Sequence, residues 1–282
     1  MATVRATDAE LFYETIGIGR PLLMMHGGLG LDHTYLRAHD QLADLVRVIY
    51  YDHRGNGRST RGTAADHPTW HADAVALLDH LGEDRAIVYG HSYGAFLALG
   101  FALAFPQRVS ALILCGSAPA FDYAPEVVAE VQTGDPALAA AFLSLLGSPP
   151  ERDADFALAF REIVPLYFHG AARPEILDRI RSSAEGFRAG NACLADYDVT
   201  TSLASLHVPV LLLAGLHDFI TPPVQAHRIA TATSRAEVIE FGASGHFPFI
   251  EEPASYFDAL RGWLSRCTNQ RDDDEQSVTP GP

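Results

Sequence analysis

The stretch Ala86-Ile87-Val88-Tyr89-Gly90-His91-Ser92-Tyr93-Gly94-Ala95-Phe96-Leu97-Ala98-Leu99 decides how this chain is read. An apolar run of strand character leads into Gly90, and a helical apolar run follows Gly94. Between them stands G-x-S-x-G. A serine hydroxyl held at the tip of a strand needs a tight, strained turn, whose flanking backbone leaves no room for a Cβ two residues to either side. Glycine at 90 and 94 meets that demand. Such a pattern arises by chance in roughly one chain of this length in ten, so its weight comes from its place between strand and helix.

The groups a serine nucleophile needs follow in order. Val208-Pro209-Val210-Leu211-Leu212-Leu213-Ala214-Gly215 reads as a buried strand and leads to Leu216-His217-Asp218. Ala236-Glu237-Val238-Ile239-Glu240-Phe241 is another strand, followed by the loop Gly242-Ala243-Ser244-Gly245-His246. Asp218 and His246 thus lie just past strand carboxyl ends, where parallel sheets place their sites. Serine is a weak nucleophile at neutral pH and needs a base; His246 suits, with Asp218 to fix its tautomer and stabilise its imidazolium. Upstream, the strand Pro21-Leu22-Leu23-Met24-Met25 ends in His26-Gly27-Gly28-Leu29-Gly30. A glycine loop there can aim a backbone N–H at a developing oxyanion, and we expect the N–H groups of Gly28 and Tyr93 to serve.

Composition narrows the alternatives. The chain has 282 residues, 48% of them hydrophobic, enough for one large domain with an insertion. A formal charge of −15 with no basic cluster argues against nucleic acid as a partner. All 20 basic residues are arginine, which excludes a phosphate-loop lysine, a Schiff-base lysine and a Ser–Lys dyad. Cys115, Cys193 and Cys267 make no disulfide framework; Cys115 ends an apolar strand and reads as a small core residue. There is no H-E-x-x-H or comparable metal motif, so no metal or cofactor is expected. The N-terminus lacks a signal-peptide apolar region and no run approaches a membrane span, so a cytoplasmic protein without membrane contact is expected.

Along the chain, residues 2–7 and 10–16 read as strands, 34–45 as a helix, 69–81 as a helix with Trp70, Ala74, Leu77 and Leu78 toward one face, and 109–114 as a strand. Strands alternating with helices predict an α/β fold: a mostly parallel sheet covered on both faces. The alternation stops at 119–206, where helical patterning is interrupted by Pro125, Pro136, Pro149, Pro165 and Pro174. We expect a helical cap (lid) there, inserted into a core of 1–118 and 207–266, with 267–282 as a flexible acidic tail. A cap over strand ends excludes water and shapes a pocket.

The serine turn, the order Ser92, Asp218, His246 and the glycine loop resemble the α/β-hydrolase fold superfamily over residues 1–266. Two further motifs resemble its proline iminopeptidase-like branch. His26-Gly27-Gly28-Leu29-Gly30 matches H-G-G-P-G with leucine in place of proline, and Asp52-His53-Arg54-Gly55-Asn56-Gly57-Arg58-Ser59 matches D-x-R-G-x-G-x-S in full. The resemblance implies that Asp52 and Arg54 brace the base of the site. It also implies a cap carboxylate that binds a substrate amine; Glu126, Glu130, Glu151, Glu162, Glu175 and Glu185 are available, none in a matching motif. Some relatives place the acid after an earlier strand, which makes Asp122 the rival to Asp218. His91 reads as packing rather than chemistry, and the Tyr93 ring as pocket lining. Ser92 excludes the aspartate nucleophile of other relatives.

The expected function is therefore a cofactor-free serine hydrolase of a small-molecule carboxylic ester, lactone or amide, working through an acyl-enzyme. An iminopeptidase-like aminopeptidase is the alternative. A hydrolase-fold ligand sensor, whose cap closes on a small molecule, is a further one.

Overall fold

The computed structural model describes residues 2–28, 30–63 and 65–276. Eight strands form one sheet in the order β1-β2-β4-β3-β5-β6-β7-β8. These are β1 (Ala2–Ala6), β2 (Ala9–Ile16), β3 (Pro21–Met25), β4 (Arg47–Tyr51), β5 (Ala86–His91), β6 (Val109–Cys115), β7 (Val210–Gly215) and β8 (Ala236–Phe241). β1 pairs with β2, and β2 with β4, antiparallel; every pairing from β4 through β3 to β8 is parallel. β5 and β7 are buried at every residue, as strands covered on both faces must be, and this explains their unbroken apolar runs.

Helices α1 (His67–His80) and α2 (Tyr93–Ala104) flank the sheet, followed later by α7 (Pro223–Ala232), α8 (Pro248–Glu251) and α9 (Pro253–Gln276). Trp70, Ala74, Leu77 and Leu78 of α1 are all buried, as their spacing predicts. Asp66 caps this helix by accepting the Thr69 N–H.

The span predicted as a helix over 34–45 differs in kind: it is a 3-10 helix over His33–Leu42. Its fully buried residues include His33, Leu36, His39 and Leu42, spaced by three. A three-residue turn stacks them on one face, and two of them are histidines, which hides the period from an apolar count.

Between β6 and β7 lie α3 (Ala124–Val131), α4 (Pro136–Gly147), α5 (Asp153–Ile163) and α6 (Ala184–Leu194), with short 3-10 turns at Val164–Tyr167, Pro174–Leu177 and Thr200–Ser205. Four of the five prolines that interrupt the sequence pattern, Pro125, Pro136, Pro165 and Pro174, open a helix or turn, where a missing N–H costs nothing. The two ends of the insertion meet in an antiparallel bridge between Ala120 and Asp198.

α9 runs on past 266 to Gln276, where the sequence pattern predicts a tail. No glycine or proline falls between 263 and 279 to stop it. Residues 277–282 of the expected tail, and Leu29 of the glycine loop, lie outside the described residues. Among the described residues, no helix is long and apolar enough to cross a membrane.

Candidate active site

Because β3 and β5 to β8 are parallel, their carboxyl ends open on one edge of the sheet. Ser92 follows directly on β5 and begins the turn into α2. Its φ of 56° and ψ of −126° put a non-glycine residue in strained backbone. Crowding at the flanking glycines is real: a Cβ on Gly90 would overlap the Gly94 carbonyl and Ala95, and one on Gly94 would overlap the carbonyls of Met25 and His26. The Ser92 N–H donates to the Cys115 carbonyl at 2.9 Å, which ties the turn to β6. Burial pushes the Cys115 thiol up to about 12, so it packs as an inert group.

His246 and Asp218 meet beside this turn. The His246 Nδ1 lies 2.7 Å from Asp218 Oδ2, with both side chains buried. His246 Nε2 is buried and has no hydrogen-bond partner. Asp218 is held by more than the imidazole. Its Oδ1 accepts the N–H groups of Ile220 at 2.9 Å and Thr221 at 3.0 Å, and its Oδ2 accepts the Thr221 hydroxyl at 2.7 Å. Thr221 is a residue that sequence reasoning misses. An acid followed by threonine three residues on is a turn-closing pattern, and that is the one available signal.

Asp122, the rival acid, is elsewhere: Arg228 holds its two oxygens at 2.7 and 2.9 Å on the exposed surface. His246 has no bond to Ser244, whose hydroxyl donates to Glu252 at 2.6 Å.

Gly28, with φ of +57°, shares a cavity wall with Ser92 and Tyr93. Tyr93 is the first residue of α2, where a helix leaves its N–H without an internal acceptor. A Cβ on Gly27 would overlap His91 O and touch the Ser92 Cβ, so the glycine loop lies directly against the serine turn. The Tyr93 ring lines the cavity, and its hydroxyl is 2.9 Å from His67 Nε2.

His91 packs, as expected, but it also connects. Its Nε2 is 2.9 Å from the His246 carbonyl and its Nδ1 3.0 Å from the Tyr35 hydroxyl, which accepts the Gly27 N–H at 2.6 Å. Burial, and then the neighbouring His246, hold His91 well below the usual histidine range, so it is neutral. The sequence carries no signal for Tyr35 or for this connection.

Asp52 and Arg54 of the second loop do not line the cavity. Arg54 grips Asp73 through two bonds of 2.9 and 2.7 Å and also binds Asp8. Asp52 accepts from His33 and from the Arg58 N–H. Both are structural partners, as the resemblance implies.

The cavity over Ser92 encloses about 130 Å³. Its floor is the serine turn, Gly28, Thr221 and His246; its walls and roof come from α3, α4, α5 and α6. No aspartate, glutamate or arginine lines it among the described residues. Glu126, Glu130, Glu151, Glu162 and Glu175 are exposed, and Glu185 accepts the Gly62 N–H.

The insertion is fastened to the same loops. The Tyr167 carbonyl accepts the His246 N–H at 2.8 Å. Glu251 accepts N–H groups from His169 and Gly170 on one side and Gly245 on the other. At the other anchor, Ser183 donates its N–H to Gly30 O at 2.7 Å and its hydroxyl to Gly55 O at 2.6 Å.

Residues 20–253 match the family model of the alpha/beta hydrolase fold, and the chain belongs to that family. It is an α/β-hydrolase enzyme, similar to the proline iminopeptidase branch. A proline iminopeptidase of Levilactobacillus brevis is 31% identical over 94% of this chain and 96% of its own length. A putative carbamate hydrolase of Pseudomonas syringae is 29% identical over 87% of this chain and 94% of its own. Among solved structures, an esterase from Thermogutta terrifontis superposes with a TM-score of 0.75 at 26% identity, covering 94% of this chain and 98% of that one.

Proposed function

We propose that this enzyme is a serine hydrolase of small carboxylic esters or lactones, with Ser92, His246 and Asp218 as its triad. One observation carries the reading. His246 presents Nδ1 to Asp218 at 2.7 Å and keeps Nε2 unpartnered, in a cavity wall it shares with Ser92. In the proposed cycle His246 Nε2 takes the Ser92 proton as Oγ attacks the substrate carbonyl. The N–H groups of Gly28 and Tyr93 receive the oxyanion, each worth about 3 kcal/mol of barrier. The tetrahedral adduct collapses to the acyl-enzyme, and His246 passes its proton to the departing alkoxide. Water, deprotonated by His246, then attacks the acyl carbon and frees the acid and Ser92. Asp218 holds the imidazole in register and stabilises its cationic form. The helical insertion acts as a cap that keeps bulk water from the acyl-enzyme.

The relative named as a proline iminopeptidase favours a second reading, release of an N-terminal residue from a peptide. One experiment separates the two. Parent and Ser92→Ala proteins are assayed on p-nitrophenyl esters of increasing acyl length and on prolyl and alanyl arylamides. Ester turnover abolished by Ser92→Ala, with arylamides untouched, supports the ester reading. Faster prolyl arylamide cleavage turns it to the aminopeptidase, and activity surviving in Ser92→Ala removes the triad mechanism.

A further inference from the structure

We propose that this cavity selects an electrically neutral substrate whose bulk is hydrocarbon, an alkyl or aryl ester or lactone. It turns away molecules that carry an ammonium or a carboxylate on the part it buries. The inference rests on the Ser92 hydrolase reading and names the substrate class for it.

The four helices of the insertion offer the substrate only hydrocarbon: Val127 and Val128 from α3, Phe142 and Leu145 from α4, Phe160 from α5 and Phe187 from α6; Tyr167, in the turn after α5, adds a ring with one uncharged hydroxyl. Polar atoms gather at the opposite end, around Ser92, and most are already engaged. The Tyr35 hydroxyl serves Gly27 and His91, that of Tyr93 serves His67, and that of Thr221 serves Asp218. Ser92, His246 Nε2 and the Tyr167 hydroxyl are left for the reacting group, and none of the three supplies a fixed counter-charge to an ammonium or a carboxylate.

No carboxylate among the described residues is free to receive an amine here. Asp218 has accepted two N–H groups, a hydroxyl and an imidazole. Asp122 is clamped by Arg228, and the glutamates of α3 are exposed while Val127 and Val128 of that helix line the cavity. Nor does a described arginine line the cavity to receive a carboxylate. A charged group entering here exchanges its water for hydrocarbon with no counter-ion, which disfavours it far more than any packing it gains. A methylene, by contrast, gains about fourfold in affinity when it leaves water.

The test compares p-nitrophenyl esters of hexanoate, 6-aminohexanoate and adipate, which share a scissile bond and differ in terminal charge. Hexanoate is expected to exceed both charged esters by at least 100-fold in kcat/KM. The variant Val128→Asp is expected to narrow the gap for the amino ester at least tenfold. Charged and neutral esters within tenfold of one another overturn the proposal. So does a prolyl arylamide cleaved faster than the hexanoate ester. If no ester turns over, labelling rates of Ser92 by hexyl and 6-aminohexyl fluorophosphonates supply the same ratio, with the same thresholds for and against. A Ser92 that neither reagent labels sinks the hydrolase reading itself, and this proposal with it.

Discussion

His91 donates from Nε2 to the main-chain carbonyl of His246 at 2.9 Å, so the residue before the proposed nucleophile supports the loop of the proposed base. With Nδ1 accepting from Tyr35 and Tyr35 accepting from Gly27, one buried string joins glycine loop, serine turn and histidine loop. Three elements that must hold sub-ångström register are thereby fixed to one another.

Tyr35→Phe cuts this string in the middle. It leaves the Gly27 N–H and His91 Nδ1 buried without partners, at about 1–3 kcal/mol for each unsatisfied group. We expect a loss of about 2–4 kcal/mol in urea unfolding and a fall in kcat on p-nitrophenyl esters that exceeds any rise in KM. A variant as stable and as active as the parent would show that the string does not hold the three loops together.

Thr221 donates to the same Asp218 oxygen that receives His246. Thr221→Val keeps the shape and removes the donor. One hydrogen bond to a charged group is worth about 1.5 kcal/mol or more, so kcat should drop on the order of tenfold. Thr221→Ser should recover most of it. Equal kcat values for the valine and serine variants would deny the hydroxyl any part.

Gly94→Ala drives a Cβ into the carbonyls of Met25 and His26, the base of the glycine loop. Overpacking against backbone typically costs about 1–3 kcal/mol, and displacing the proposed oxyanion donor Gly28 should cost on the order of 100-fold or more in kcat. Gly147→Ala, at the end of α4, meets nothing within 4 Å and serves as the control. Thermal melts and initial rates on both proteins should separate them; a Gly94→Ala enzyme matching the control would contradict the crowding.

Buried histidines set the acid side of stability. Burial lowers His39 and His71 to about 4, whereas an imidazole in the unfolded chain titrates near 6.5. From 6.5 down to about 4 the unfolded chain binds a proton that the folded chain refuses. The stability these neutral side chains contribute is therefore complete above 6.5 and is lost as the pH falls through that window. Each contributes a slope of up to about 1.4 kcal/mol per pH unit. Urea unfolding across this range should show the decline, and His39→Gln should flatten it by about that amount. A parallel profile for the variant would refute the assignment.

The parts of this site legible in the sequence are those with local signatures. Gly90 and Gly94 bracket Ser92 because of contacts within a few residues, and Asp218 and His246 announce themselves by following apolar strands. The remainder depends on what the fold brings together. Tyr35 reaches His91 across 56 positions, and the Tyr167 carbonyl meets a histidine loop far along the chain. No spacing rule carries such pairs. The three-residue period of His33, Leu36, His39 and Leu42 is present in the sequence, yet two polar side chains mask it. The glutamates of the insertion, by contrast, look available in the sequence; exposure removes five of them from the cavity, and Glu185 is turned to the Gly62 N–H instead.

The bond from the His246 N–H to Tyr167 has a bearing on how the enzyme can be re-engineered. The segment that roofs the cavity also steadies the loop of the proposed base, so insertion and proposed machinery are not independent modules. A chimera that exchanged the whole insertion at its neck, the Ala120–Asp198 bridge, would remove a strut from the proposed triad along with the old pocket. Grafts confined to α3 and α4 would leave 164–170 and 181–186 in place, and with them the scaffold on which a new pocket could be built without retuning the histidine.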